Sequence, residues 1–353
     1  MSSLATIPAA GRVMLQRADG RVEIEASGDS RRRRLTARPL RSGAAVPACC
    51  ETSYPLDLIE AILEVKGVAW VCDEISRDQD PGSIQRFFEN DFLPYFGPAA
   101  FEGRRILDFG CGSGASTMVL ARMFTGSRIV GVELSADHLR IAERRQAFYG
   151  YQNVSFLQSP AGTSVPEGLG QFDFIVMSAV FEHLLPAERR AVMPQLWAHL
   201  RIGGCLLLNQ TPHRFFPFES HTSGLPLINY LPDRLAHFVA RRFSPRKLGR
   251  ESWEGLLRKG IRGATEREIL ESFGDAPSDS LPVLLLPRRP HYRDRVDVWY
   301  AALGPRHRAL KTACRELLRV GERLLGTTLV VNLALAIGKG TAAGRGYGEC
   351  GAR

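Results

Sequence analysis

Several features of membrane-spanning and secreted proteins are scarce in this sequence. The seven cysteines include no CxxC pair, and Cys49 and Cys50 are adjacent, which is poor geometry for a structural disulfide. The longest apolar run, residues 329–338, is about half of the ~20 residues that a spanning helix needs. No apolar segment follows a charged start, so we expect no secretory signal. These absences predict reduced thiols and a cytoplasmic protein, with any membrane contact peripheral.

The positive charge of the chain is concentrated near its N-terminus. The formal net charge is +9, but residues 1–48 alone hold nine arginines against four acidic residues. The arginine run 31–34 lies in a stretch with little hydrophobic periodicity, which predicts a disordered basic arm over residues 1–50. Because the remaining chain lacks a dense basic stripe with interleaved aromatic residues, we expect no nucleic-acid partner. Contact of the arginine run with anionic lipid stays open.

Strands and helices alternate regularly in the middle of the chain. Segments that predict helices separate the short apolar segments that predict strands, which are 105–109, 128–133, 154–158, 172–178 and 205–210. Continuous apolar strands spaced by helices indicate a doubly wound, mostly parallel α/β sheet covered on both faces. The predicted organisation is a helical cap over 51–100, this domain over 101–340 with an irregular insertion at about 211–303, and a flexible tail over 341–353.

A turn with three glycines at every second position follows the first predicted strand. In the stretch RRILDFGCGSGAST, Gly110, Gly112 and Gly114 allow the backbone to approach a ligand closely. Ligands of open α/β sheets bind at the carboxyl ends of the strands, where this turn lies. Glu133 ends the next strand, 23 residues after Gly110, and a carboxylate there can accept hydrogen bonds from a ribose diol. Turn and acid together predict a nucleoside-binding site.

Two cofactors that contain a nucleoside compete for this site. The spacing of Gly110, Gly112 and Ala115 fits the dinucleotide pattern of NAD(P)-binding oxidoreductases. Asp108, two residues before the first glycine, would repel a pyrophosphate, whereas it suits a ligand with an ammonium and a sulfonium group. The electrostatics therefore favour S-adenosylmethionine, and an NAD(P)-binding oxidoreductase remains the less favoured alternative.

The segments around this turn resemble a known family. LDFGCGSG is similar to the D-x-G-x-G-x-G signature of class I S-adenosylmethionine-dependent methyltransferases, and FDFIVMSAVFEHL and HLRIGGCLLLNQ follow in the family's order. The resemblance covers about residues 100–210 and is nearest to small-molecule methyltransferases, including ubiquinone-biosynthesis O-methyltransferases. It implies a Rossmann-like methyltransferase fold, S-adenosyl-L-methionine as the cofactor and methyl transfer as the reaction.

The resemblance also implies roles for individual residues. Asp108 and the backbone of Gly110 would face the methionine amine, and Glu133 would hold the ribose hydroxyls. Other positions would contact the remaining parts of the cofactor: Gly112, Gly114, Leu134 and Ser178. Family members often carry an aspartate after the third strand for the adenine amine. FLQSPAG has no acid there, so Gln158 or Ser159 is the candidate for this contact.

The acceptor side of the predicted site depends on histidines. An oxygen acceptor needs a general base, and His183, at the exit of the fourth strand, is the best-placed candidate. A structural role for His183, bonded to backbone or to Glu182, is the alternative. Four residues after the fifth strand are predicted to line the acceptor pocket: His213, Phe216, Glu219 and His221. Since H-x5-E-x-H is not a recognised ligand spacing, no metal is predicted for them.

A long amphipathic helix is predicted over residues 306–325. Leu310, Leu317 and Leu324 share one face, and Arg315 and Arg319 lie on a neighbouring basic stripe. Such a helix usually packs its apolar face on its own domain, which is the prediction here. Peripheral contact with anionic lipid is the alternative.

The sequence as a whole predicts an S-adenosylmethionine-dependent methyltransferase. Its expected acceptor is a small molecule, a saccharide or a lipid-linked intermediate, with oxygen as the acceptor atom because of His183. A scaffold protein that binds the cofactor without turnover is the alternative from another class. Acceptor identity and oligomeric state stay open.

Overall fold

A four-stranded antiparallel sheet begins the part of the chain that the computed structural model describes, namely residues 12–27, 32–40, 47–274, 280–303, 308–325 and 327–340. Its strands pair in chain order and are β1 (Arg12–Arg17), β2 (Gly20–Ala26), β3 (Arg33–Pro39) and β4 (Cys49–Thr52). Three helices follow: α1 (Leu56–Lys66), α2 (Val71–Gln79) and α3 (Ile84–Asp91). The four-stranded sheet packs on α1 and α2 and shares one apolar cluster with them.

The prediction of a disordered arm over residues 1–50 is wrong for these strands. Alternation along β2 buries Val22 and Ile24, which pack with Leu35 against the helices that follow. Two of the arginines, Arg12 and Arg38, are paired with one acid, since the Glu23 carboxylate contacts Arg12 and lies 3.0 Å from Arg38. Such cross-strand ion pairs stabilise a short amphipathic sheet whose composition resembles that of a basic tail. Residues 1–11, 28–31, 41–46 and the predicted tail 341–353 lie outside the described residues.

Alternating strands and helices follow from residue 105 onward. The strands are β5 (Arg105–Phe109), β6 (Arg128–Glu133), β7 (Val154–Gln158), β8 (Phe172–Ser178), β9 (Leu200–Pro212), β10 (Phe218–Glu219), β11 (Leu225–Pro226), β12 (Pro282–Leu284) and β13 (Asn332–Lys339). The helices are α4 (Ala115–Met123), α5 (Ala136–Tyr149), α6 (Pro186–His199), α7 (Asp233–Phe243), α8 (Trp253–Arg258), α9 (Glu266–Glu271), α10 (Arg295–Ala302) and α11 (Arg308–Leu325). The segment 211–303 therefore contains a two-stranded ribbon, β10–β11, and four helices among its described residues.

Seven of these strands form one sheet with the order β12-β13-β9-β8-β5-β6-β7. Strands β9 to β7 in this order are parallel, whereas β13 is antiparallel to β9 and β12 is antiparallel to β13. Alternate residues of β5, such as Ile106 and Leu107, enter two different apolar clusters, so both faces of the sheet are covered. The predicted doubly wound α/β fold is confirmed. Because the chain continues from β5 to β6 on one side and later to β8 on the other, the switch point lies between β5 and β8.

The orientation of α11 is the reverse of the prediction. Leu310, Leu317 and Leu324 are 66%, 71% and 78% exposed, although this face was expected to pack on the domain. The basic stripe docks instead, since Arg319 is 9% exposed and contacts Asp294 at 2.8 Å and Asp297 at 2.5 Å. Charge complementarity with the start of α10 therefore orients the helix. In the described part of the chain, no helix is both long enough and apolar enough to span a bilayer.

Arg145 of α5 is a fully buried charge that connects the N-terminal sheet, α2 and the glycine turn. Its guanidinium donates to the backbone oxygen and the Oγ of Ser113 at 2.9 and 2.7 Å and to Glu74 Oε1 at 3.0 Å. It also donates to the Tyr54 hydroxyl at 3.1 Å and lies 3.6 Å from Asp78. Burial opposes ionisation of Glu74, but the positive charge of Arg145 lowers the pKa of Glu74 to about 2. Glu74 is therefore ionised opposite Arg145 near neutral pH.

Replacing Arg145 by methionine tests how much this network stabilises the fold. Arg145→Met removes the only cation paired with Asp78 among the described residues and leaves Glu74 with Lys66 at 3.5 Å alone, so we expect the free energy of unfolding to fall by about 3–5 kcal/mol. The measurement is urea denaturation followed by circular dichroism. Arg140→Met is the control, because Arg140 lies on the exposed side of the same helix and pairs with Glu64 at 3.4 Å. We expect it to change the free energy by less than about 1 kcal/mol, and equal changes in both variants would contradict the prediction.

Candidate functional site

One cavity of about 610 Å³ lies at the carboxyl ends of β5, β6 and β8, beside the switch point. Three segments of the central sheet and its turns line it: residues 109–113, 132–134 and 178–180. The insertion adds His221 and Arg258 to the same walls. The cavity is therefore bounded both by the glycine turn and by the segment that the sequence predicts to be on the acceptor side.

The three glycines of the turn have different reasons to lack a side chain. Their φ angles are all positive, +72° at Gly110, +55° at Gly112 and +82° at Gly114. A Cβ at Gly110 would lie 2.7 Å from Val180, and one at Gly114 would lie 2.7 Å from Ala142, so these two glycines permit packing within the chain. A Cβ at Gly112 would meet no atom within 4 Å. Gly112 is thus the position where the backbone is open to a ligand.

Glu133 connects the end of β6 to the glycine turn. Its Oε2 accepts a hydrogen bond from the backbone N–H of Gly112 at 2.9 Å, and its Oε1 accepts one from the N–H of Ser135 at 3.0 Å. Burial opposes its ionisation, but hydrogen bonds from His138, Ser135 and Gly112 lower the pKa of Glu133. An ionised carboxylate is therefore held at the wall of the cavity. A carboxylate offers hydrogen-bond acceptors and no donor, so Glu133 fits the hydroxyls of a ribose.

Asp108 is not among the residues that line the cavity. Its carboxylate is buried, and its Oδ2 accepts hydrogen bonds from the hydroxyls of Ser116 and Thr117, both at 2.7 Å. Burial raises the pKa of Asp108 to about 6. In this geometry Asp108 fixes the first turn of α4 to the end of β5, and the implied contact with the methionine amine is not made through the cavity wall.

The residues implied for the rest of the cofactor divide into two groups. Leu134, Ser159 and Ser178 line the cavity. Leu134 is 49% exposed, as an apolar surface available to a planar base would be. Gln158 does not line the cavity, and its amide donates to the carbonyl oxygen of Leu134 at 3.1 Å. Of the two candidates for the adenine contact, the structure brings Ser159 to the cavity.

His183 lies in a short 3₁₀ turn, Phe181–His183, directly after β8, and its ring lines the cavity. Its Nδ1 is 2.8 Å from the carbonyl oxygen of Arg258, and its Nε2 is 3.7 Å from Glu182 Oε1. The Glu182 side chain is fully buried, with Oε2 accepting a hydrogen bond from Thr211 at 2.9 Å. His183 thus has both the predicted exposure to the cavity and the backbone contact of the structural alternative.

Of the four residues predicted for the acceptor pocket, His221 alone is among the residues that line this cavity, and its ring centroid is 5.4 Å from that of His183. His213 is buried elsewhere, where its Nδ1 accepts from the N–H of Phe215 at 3.1 Å. Glu219 is buried and closes a local turn, since Oε1 accepts from the N–H of Thr222 at 2.7 Å. Phe216 is half-buried and does not line the cavity.

Some lining residues come from segments that the sequence analysis left out of the site. Lys66 at the end of α1 and Glu74 and Arg77 of α2 all line the cavity. Arg258 of α8 also lines it, and its guanidinium contacts Glu188 at 2.5 and 2.6 Å. The helical pattern of residues 51–100 predicts these helices, but no local motif indicates that they reach the glycine turn.

Comparison with known proteins agrees with this geometry. The family described as "Methyltransferase domain" matches residues 107–206. The chain is similar to a trans-aconitate 2-methyltransferase of Azoarcus sp. (28% identity over 191 residues, 48% of this chain and 71% of the relative). It is also similar to a ubiquinone biosynthesis O-methyltransferase of Bordetella avium (25% identity over 194 residues, 54% of this chain and 77% of the relative).

Similar solved structures share less than two thirds of their length with this chain. The structure titled "PigF with SAH" matches at 16% identity and a TM-score of 0.40, over 66% of this chain and 58% of the other. A S-adenosylmethionine-dependent methyltransferase from Clostridium acetobutylicum matches at 19% identity and a TM-score of 0.29, over 38% of this chain and 49% of the other.

The match to the family covers the end of β5, the glycine turn, Glu133 and His183, and these parts of the chain contribute to the cavity at the switch point. The matched residues thus include strands of the central sheet as well as residues that line the cavity. Residues 107–206 of the chain therefore form a methyltransferase domain, and its cofactor is S-adenosyl-L-methionine.

Proposed function

We propose that this domain transfers a methyl group to an oxygen atom of a small-molecule, saccharide or lipid-linked acceptor. The observation that carries the proposal is that one cavity is lined by Gly112 and Glu133 and also by His183 and His221. The first pair suits the nucleoside part of the cofactor. The second pair offers nitrogen atoms that can accept a proton from an acceptor hydroxyl.

The residues around the glycine turn bind and orient the cofactor. When bound, S-adenosylmethionine supplies a methyl group whose C–S electron pair returns to sulfur as the acceptor oxygen bonds to the methyl carbon. Glu133 accepts hydrogen bonds from the ribose, and Leu134 packs on the adenine. The backbone of residues 178–180 forms the wall between this region and His183. The wall positions the reacting atoms, which need to lie about 3–3.5 Å apart.

His183 is the group to which we assign the acceptor proton. The carbonyl oxygen of Arg258 can only accept a hydrogen bond, so His183 carries its hydrogen on Nδ1 when the ring is neutral. Nε2 then has a free lone pair, which removes the hydroxyl proton as the methyl group is transferred. Glu182 Oε1, 3.7 Å from Nε2, stabilises the imidazolium that forms.

The names of relatives support oxygen as the acceptor atom. The Bordetella avium relative and a malonyl-[acyl-carrier protein] O-methyltransferase of Bacillus cereus, 32% identical over 120 residues, are both named O-methyltransferases. The name of the Azoarcus relative indicates a small carboxylic acid as its acceptor. A lipid-linked acceptor is compatible with the exposed leucines of α11.

A pair of glycine variants tests the cofactor site. Gly112 and Gly150 both have positive φ, +55° and +70°, and a Cβ at either would meet no atom within 4 Å, but Gly150 ends α5 away from the cavity. Both alanine variants carry the same backbone strain of about 1–2 kcal/mol. We expect Gly112→Ala to raise the Kd for S-adenosylmethionine at least about tenfold, equivalent to ~1.4 kcal/mol, because its methyl group occupies ligand space. Titration calorimetry measures this, and equal affinity in both variants would contradict the assignment.

Methyl-transfer assays test the acceptor side. With labelled S-adenosylmethionine and a panel of phenols, carboxylic acids and saccharides, we expect the wild type to methylate an oxygen acceptor. His183→Gln should keep cofactor affinity and lower kcat about 10²–10⁴-fold, the usual contribution of a general base. The control is His199→Gln, since His199 Nδ1 also contacts a backbone carbonyl, at 2.6 Å from Gly170, outside the cavity lining. Tight cofactor binding with no turnover on any acceptor would favour the scaffold alternative.

A further inference from the structure

Three potential metal ligands converge at the acceptor side of the cavity. Glu182, His183 and His221 each offer one ligand atom, and these atoms all lie within 4.8 Å of one another. Ligands of one ion at bond lengths of about 2.0–2.2 Å are at most roughly 4.4 Å apart. The upper limit of 4.8 Å is close to this span, and His221 is the exposed member of the group.

Glu182 provides an independent observation that points to a ligand. Its side chain is fully buried, and its Oε1 has no hydrogen-bond partner, although Oε2 is bonded to Thr211. A buried carboxylate oxygen without a partner is unfavourable. A cation next to Glu182 Oε1 would remove this cost.

The tautomer of His183 also favours a cation between His183 and Glu182. Since Nδ1–H donates to the carbonyl oxygen of Arg258 at 2.8 Å, the Nε2 lone pair and Glu182 Oε1 face each other as two acceptors 3.7 Å apart. This distance is too long for a proton to bridge them in a hydrogen bond. A backbone carbonyl on the remote ring nitrogen is also the usual arrangement behind a metal-binding histidine.

Gly260 allows the three groups to meet. Its φ is +82°, and a Cβ there would lie 2.9 Å from His221 Cδ2 and 3.0 Å from Glu182 Cγ. Any side chain at this position would therefore displace His221 or Glu182. The insertion contributes both Gly260 and His221, so it brings the second histidine to the turn after β8.

We propose that Glu182, His183 and His221 bind a divalent first-row transition cation such as Mn²⁺ at the acceptor side of the cavity. Two imidazole nitrogens and one carboxylate oxygen form a donor set that these cations favour over Mg²⁺ or Ca²⁺. His213 and Glu219 are buried in other contacts, so His221 is the one member of the insertion set His213, Glu219 and His221 that this site uses. The site includes His221 with two residues from the turn after β8.

The cation deepens the proposed function and rests on it for its role. His183 is the base when no cation is bound; a bound cation would take over this activation, because it would hold the acceptor oxygen and lower the pKa of the hydroxyl, with His183 as a ligand and solvent water as the proton acceptor. The oxygen pair then forms the bond to the methyl carbon, and the C–S pair stays on sulfur. Open coordination positions face the cavity because both histidines line it.

Metal binding is measured on the full chain without cofactor or acceptor, after EDTA treatment and removal of the chelator. Mn²⁺ and Co²⁺ are the probes, because Zn²⁺ would also bind exposed thiols such as Cys49. Titration calorimetry with Mn²⁺ and the visible absorption of bound Co²⁺ should report one equivalent per chain. We expect Glu182→Gln and His221→Gln each to weaken binding roughly tenfold or more, and the control His199→Gln to leave it unchanged.

Two results would overturn the metal site. The first is the absence of binding by the wild type, and the second is unchanged binding in both Glu182→Gln and His221→Gln. His221 is exposed, so its variant folds even if the buried Glu182 variant does not. Titration of S-adenosylmethionine into the same samples is separate, so loss of cofactor binding in the wild type would defeat the proposed function while leaving the metal result readable.

Discussion

The buried guanidinium of Arg145 is the contact on which the cofactor site depends. It holds both the carbonyl oxygen and the hydroxyl of Ser113, in the middle of the glycine turn, and it is neutralised by Glu74 of α2. A turn with three positive-φ glycines has little conformational preference of its own. The buried charge of Arg145 therefore supplies the rigidity that side chains would otherwise give to the turn. Because its partner Glu74 lies in α2, the N-terminal helices are part of the same arrangement.

Glu133 adds a second constraint from the opposite side of the turn. Its carboxylate is ionised because three donors converge on it, one of which is the N–H of Gly112. The same group thus fixes the turn and lines the cavity, where the proposed function has it accept hydrogen bonds from a ribose. Because Glu133 accepts a hydrogen bond from the N–H of Gly112, its position depends on the geometry of the turn. The binding of a ligand hydroxyl to Glu133 is therefore coupled to that geometry.

Much of the fold and part of the site can be predicted from local sequence. Apolar runs predict the strands, and the spacing of Gly110, Gly112 and Glu133 predicts the edge of the sheet at which the cavity lies. Contacts between charged groups distant in sequence have no such periodic signal, which is why the N-terminal strands and the orientation of Arg319 on α11 were missed. The surroundings of His213 could not be predicted for a related reason. The sequence shows that the insertion contains a histidine, but not whether its ring faces a cavity or a neighbouring backbone group.

The two sides of the cavity are built by different means, which has a consequence for specificity. Backbone atoms of the sheet and its turn form the cofactor side, so its shape follows from the fold. The acceptor side depends on the insertion, whose Gly260 leaves space between Glu182 and His221. Substitution within the insertion can therefore change the acceptor without disturbing Gly112 or Glu133. Under the proposed function, the shape of the cofactor side thus follows from the fold, whereas Glu182, His183 and His221 would select what receives the methyl group.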